Sequence, residues 1–104
     1  MELFSNLMKS YYFSLQVRNV KAALAKGKAQ IEARNGTLTG NDVSGSFSIP
    51  APFFSHIGGL YGVEGNVVTV TITNPPRFAS PRLVANQSAT FFGGTLQTGP
   101  TVLS

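Results

Sequence analysis

Gly62-Val63-Glu64-Gly65-Asn66-Val67-Val68-Thr69-Val70-Thr71-Ile72-Thr73-Asn74-Pro75-Pro76 alternates apolar and hydroxyl side chains through its centre. In an extended chain Val68, Val70 and Ile72 fall on one side and Thr69, Thr71 and Thr73 on the other. All six are β-branched and pack well on a pleated surface. Glu64-Gly65-Asn66 reads as the reversal feeding this strand, and Asn74-Pro75-Pro76 ends it by removing two backbone donors.

Toward the N-terminus, Leu60-Tyr61-Gly62-Val63 leads into that reversal. Pro50-Ala51-Pro52-Phe53-Phe54-Ser55-His56-Ile57-Gly58-Gly59 has proline near its start and glycine past its end. That punctuation predicts a short helix or 3₁₀ segment with Phe53, Phe54 and Ile57 as its apolar side. Residues 43–49 alternate again, and Gly45, in register with Val43, Phe47 and Ile49, predicts a bulge, a bend or a close approach by another element. Gly40-Asn41-Asp42 reads as a reversal. Asn35-Gly36 is a hairpin signal, joining a strand over residues 29–33 to a return strand at Thr37-Leu38-Thr39. Asn19 would cap a short helix ended by Gly27, although Val20, Ala22 and Leu24 also alternate as a bent strand would. Tyr11, Phe13, Leu15 and Val17 share one face of a half-buried strand, and Leu3, Phe4, Leu7 and Met8 suit one or two helical turns.

Toward the C-terminus, Arg77-Phe78-Ala79-Ser80-Pro81 is a connection. Residues 82–92 divide between a helix started by Pro81 and a strand at Thr90-Phe91-Phe92. The expected class is α+β and β-rich: a twisted antiparallel sheet or small partly open barrel of about six strands, with one to three short helices. Residues 1–94 form one globular domain, and residues 95–104 a flexible tail or an arm exchanged with a neighbour's sheet edge.

Only 12% of the residues are charged, about half the usual share, so much of the surface must be Ser, Thr, Asn, Gln and Gly or be covered by another chain. The net charge of +4 is also local: Arg18, Lys21, Lys26, Lys28 and Arg34 face one acid, Glu32, within the same segment. This basic patch favours anionic partners and, with Tyr12 or Phe78 as stacking rings, a weak nucleic-acid interaction. The absence of cysteine excludes disulfides, a thiol nucleophile and thiolate metal sites. Residues 1–9 lack the basic start and unbroken apolar core of a signal peptide, and no apolar run reaches bilayer-spanning length, so a cytoplasmic location is expected.

Chemistry finds little to work with. His56 is the one histidine and Glu2, Glu32, Asp42 and Glu64 are scattered, so paired carboxylates, a serine triad with its elbow motif, and a metal site are all unsupported. The glycines from Gly58 to Gly65 lack the context of a nucleotide-binding loop. No cofactor is expected, and enzymatic activity ranks last. The leading reading is a non-enzymatic protein interaction or assembly module, self-associating through sheet edges and a patch of Phe53, Phe54, His56, Ile57 and Tyr61. The alternatives are a binding protein for a small apolar or aromatic ligand, for which Phe91 and Phe92 add rings, and the weak nucleic-acid binder.

Overall fold

The structure is a computed structural model that describes residues 10–51, 54–75 and 79–103, with backbone alone at residues 51 and 54–56. The elements run β1 (Tyr11–Gln16), α1 (Val20–Glu32), β2 (Thr37–Gly40), β3 (Ser44–Ala51), β4 (Phe54–Glu64), β5 (Val67–Asn74), α2 (Pro81–Phe92) and β6 (Thr95–Val102). The fold is α+β and β-rich, with six strands in one antiparallel sheet of order β2-β3-β4-β5-β1-β6. The end strands β2 and β6 do not pair, so the sheet stays open.

The segment 67–74 is the strand its alternation predicts, and β4 and β1 flank it. Val68 and Val70 are fully buried, as are Phe13 and Leu15 on β1. Val70 lies opposite Phe13 on one side and Tyr61 on the other, so the core face of the sheet continues across three strands. The reversal before β5 turns at Gly65, whose φ of 61° suits a residue without a side chain. The opposite face carries Thr69, Thr71 and Thr73 beside Ser46, Ser48, Thr37 and Thr39.

Both helices cover the core face. In α1, Ala23, Leu24, Gly27 and Ile31 are buried at helical spacing, and Asn19 caps the start by accepting the Ala22 N–H at 2.8 Å. The helix therefore runs through Gly27 and through the strand expected at residues 29–33. Gly27 does not stop it because this glycine is where α2 comes closest: a Cβ there would stand 2.2 Å from the Phe92 ring. Asn35 takes φ 65°, as the Asn-Gly pair implies, but it ends α1 instead of turning a hairpin. The Gly36 N–H reaches the Ile31 carbonyl and the Asn35 N–H that of Glu32, the paired bonds of a Schellman motif.

In α2, Ser80 caps the Leu83 N–H and Pro81 opens the helix. It continues through Thr90-Phe91-Phe92, where a strand was an alternative, because the helical phase is what carries Phe92 onto Gly27.

Two further expectations change. The helix expected over residues 50–59 is instead the end of β3 and the start of β4, with Phe53 outside the described residues. Pro50 is tolerated because β2 is short: its pairing with β3 ends at Ser48, leaving Pro50 without a β2 partner on that side. Gly59 is a landing place for the Phe47 ring on the neighbouring strand, where a Cβ would come within 2.5 Å of the ring. Gly45 receives Tyr61 in the same way, the close approach its position implies. The tail expected at residues 95–104 is largely β6, paired with β1 of its own chain. Leu96 packs on the core, and Ser14 and Thr98 hydrogen-bond through their side chains, which ties the strand down. The turns expected over residues 2–9 lie outside the described residues.

Candidate ligand-binding site

Where the C-terminus of α1 meets α2, the helices leave part of the sheet uncovered, and a cavity of about 260 Å³ opens there. Its floor is Phe47, Ile49, Ile57 and Ile72, brought side by side from β3, β4 and β5 by the pairings Ile49↔Ile57, Phe47↔Gly59 and Gly59↔Ile72. The missing side chain of Gly59 leaves room for the tip of the Phe47 ring over the neighbouring strand. Leu83, Val84 and Phe91 form the α2 wall, and Ile31 closes the α1 side. Phe91 and Phe92 diverge by one helical step of about 100°, so Phe92 fills the joint with α1 while Phe91 borders the cavity.

Among the described residues, the polar groups lining the cavity are Arg34, Gln87 and Ser88. The Ser88 hydroxyl donates to the Val84 carbonyl at 2.8 Å within the helix. The Arg34 guanidinium lies over the Phe91 ring, 4.4 Å from its centroid, and Nη1 donates to the Gln30 carbonyl at 2.9 Å and to Gln30 Oε1 at 3.1 Å. Stacking and the fork to Gln30 together fix the plane of the guanidinium.

Tyr11 stands directly opposite Ile72, one strand beyond the floor, with a relative exposure of 3%. Among the described residues its buried hydroxyl has no hydrogen-bond partner, and burial pushes its pKa up to about 12.

A second, shallower groove of about 350 Å³ lies between α1 and the β2–β3 turn. Tyr61 closes it from below, donating to the Asn41 carbonyl at 2.8 Å, while Asn41 Oδ1 accepts the Val43 and Ser44 N–H groups. Burial, with a smaller contribution from the Asp42 charge, raises the Tyr61 pKa. Lys21 and Asp42 approach to 4.0 Å across this groove, but both are well exposed, and such pairs contribute little.

Of the residues expected to form an aromatic patch, the two whose side chains are described do not share a cavity. Ile57 is in the cavity floor, whereas Tyr61 is buried further along β4 beside the second groove. Phe53 lies outside the described residues, as do the side chains of Phe54 and His56. The basic segment is also divided. Lys21 and Lys28 border the second groove, Arg34 borders the apolar cavity, and Lys26 lies against Gly93 at the C-terminal end of α2, where a cation complements the helix dipole. Arg18 is exposed before α1 begins. The cavity's main wall was missed because Leu83, Val84 and Phe91 converge only if residues 81–92 are one helix. The spacing of Leu83, Gln87 and Phe91 at successive fours is the signal that marks that face.

Among the described residues, no three His, Cys, Asp or Glu side chains gather as a metal site would require, and no helix is long and apolar enough to cross a membrane. The chemistry offered by the cavity is apolar burial beside one oriented cation. Comparison with known proteins finds no relative to set beside it: no family model matches the chain, and no curated protein or solved structure matches it significantly.

Proposed function

We propose that this chain is a non-enzymatic binding protein that holds a small apolar or aromatic ligand between α2 and the sheet. The cavity floored by Phe47, Ile49, Ile57 and Ile72 carries this reading. Side chains from three strands and both helices converge on it, and the polar groups are few and grouped, the usual composition of a small-molecule site. At roughly 30 Å³ per water-sized group, 260 Å³ accepts about nine non-hydrogen atoms. Native mass spectrometry of freshly purified protein tests for a retained molecule. A titration series of straight-chain alcohols tests the cavity directly: affinity should rise about fourfold per added methylene, from ~0.8 kcal/mol of burial each, up to the length that fills it. Val84→Trp, which puts a ring into the space, should abolish the series while thermal unfolding remains cooperative. A flat response to chain length in the parent protein removes the proposal.

Self-association is the second reading, favoured by one observation. The face of the sheet away from the helices presents uncharged Ser and Thr side chains around Leu60, which is 51% exposed and lies between Ser46 and Thr71 in register. A second copy of the same face would bury it.

A further inference from the structure

We infer that the ligand of the α2 cavity is a small amphipathic anion, its apolar body over Ile57 and Ile72 and its carboxylate on Arg34. This rests on the cavity reading above and adds the charge and orientation of the ligand.

Among the described residues, Arg34 is the one charged residue bordering the cavity. Its hydrogen bonds to Gln30 use Nη1 alone, and among the described residues no carboxylate lies within ion-pair distance of it. Nε and Nη2 retain their N–H groups, and a planar guanidinium with adjacent donors matches both oxygens of a carboxylate. Stacking on Phe91 and the tether to Gln30 hold that fork still before a ligand arrives, which lowers the ordering cost of binding. The position agrees with the role: Phe91 and Arg34 border the same cavity as the isoleucine floor, so a chain lying on that floor can place its head beside the guanidinium. The net charge of +4 adds no repulsion against an anion.

A guanidinium also covers an aromatic ring simply to shield it from water, a packing role that predicts no preference among ligand heads. The two roles separate with probes that share a tail. Octanoate, 1-octanol and octylammonium are titrated calorimetrically against the full chain, Arg34→Gln, Arg34→Lys and Val84→Trp, each first shown to unfold cooperatively. The expected order in the parent protein is octanoate about tenfold tighter than octanol, with octylammonium weakest. Arg34→Gln should erase the preference of octanoate over octanol, and Arg34→Lys, which keeps the charge without the fork, should leave part of it. Val84→Trp should remove binding of all three. Octanol or octylammonium binding as tightly as octanoate, or a preference that survives Arg34→Gln, overturns the anion assignment while the cavity reading stands. Failure of every probe to bind the parent protein removes both.

Discussion

Single residues set how closely the layers approach. Gly27 is the clearest instance, because its two effects oppose one another. Alanine in a helix interior is favoured over glycine by ~1 kcal/mol, but here the added Cβ would fall 2.2 Å from the Phe92 ring and force the helices apart. Overpacking of a filled joint costs about 1–3 kcal/mol, so Gly27→Ala should lower stability in urea unfolding; a gain would show that the joint has slack. Tyr11 gives the opposite kind of prediction. Its hydroxyl is buried without a partner among the described residues, so Tyr11→Phe removes a desolvated polar group and should leave stability equal or higher by ~1 kcal/mol at neutral pH. The pH dependence fixes the sign independently. An unfolded tyrosine ionises near its ordinary 10, whereas the folded Tyr11 holds its proton to about 12. The unfolded state therefore binds fewer protons across that interval, and stability falls as pH rises through it. In Tyr11→Phe this part of the alkaline loss should disappear from unfolding curves measured across the same interval.

At the scale of elements, the two helices stop by the same device. Gly93 takes φ 68° after α2, and the Gly94 N–H bonds to the Ala89 carbonyl just as Gly36 bonds to Ile31 after α1. The difference is that α1 uses Asn35, a residue with a side chain, at the left-handed position. Asn35→Ala should cost about 1 kcal/mol or more in thermal unfolding, while Asn35→Gly should be neutral or mildly stabilising; equal losses from both would place the asparagine's importance in its side chain. This position also shows what local sequence can and cannot specify. That Asn35-Gly36 takes a positive φ was legible, but whether the turn ends a helix or joins two strands depends on what precedes it. There the buried spacing of Leu24, Gly27 and Ile31 outweighs the helix-stop reading of Gly27. Pro50 misleads for a related reason: proline is equally at home at a helix start and at an unpaired stretch of strand. Only where β2, the preceding strand, stops pairing decides between them.

For the whole molecule, alternation made β1 and β5 and their buried faces legible, from Tyr11, Phe13 and Leu15 to Val68, Val70 and Ile72, while strand order was not, because β1, first in the chain, pairs with β5 and β6, the last two strands. The cavity was hidden for the same reason, being made of ordinary core residues whose convergence is set by topology. The order of strands also bears on assembly. Edge β2 has four residues, and edge β6 carries Pro100 and shifts in register against β1, features that discourage addition of another strand. Association of two copies would thus use the open Ser and Thr face, with Leu60 at its centre. Light scattering over roughly a hundredfold range of concentration decides the matter, since a self-associating chain shows mass rising with concentration by mass action. Under face-to-face pairing the mass should rise from 11.0 kDa toward twice that value, and Leu60→Lys should hold it at the lower limit by placing two like charges in the centre of the contact. A mass fixed at 11.0 kDa throughout removes self-association; a rising mass unaffected by Leu60→Lys moves the contact off this face.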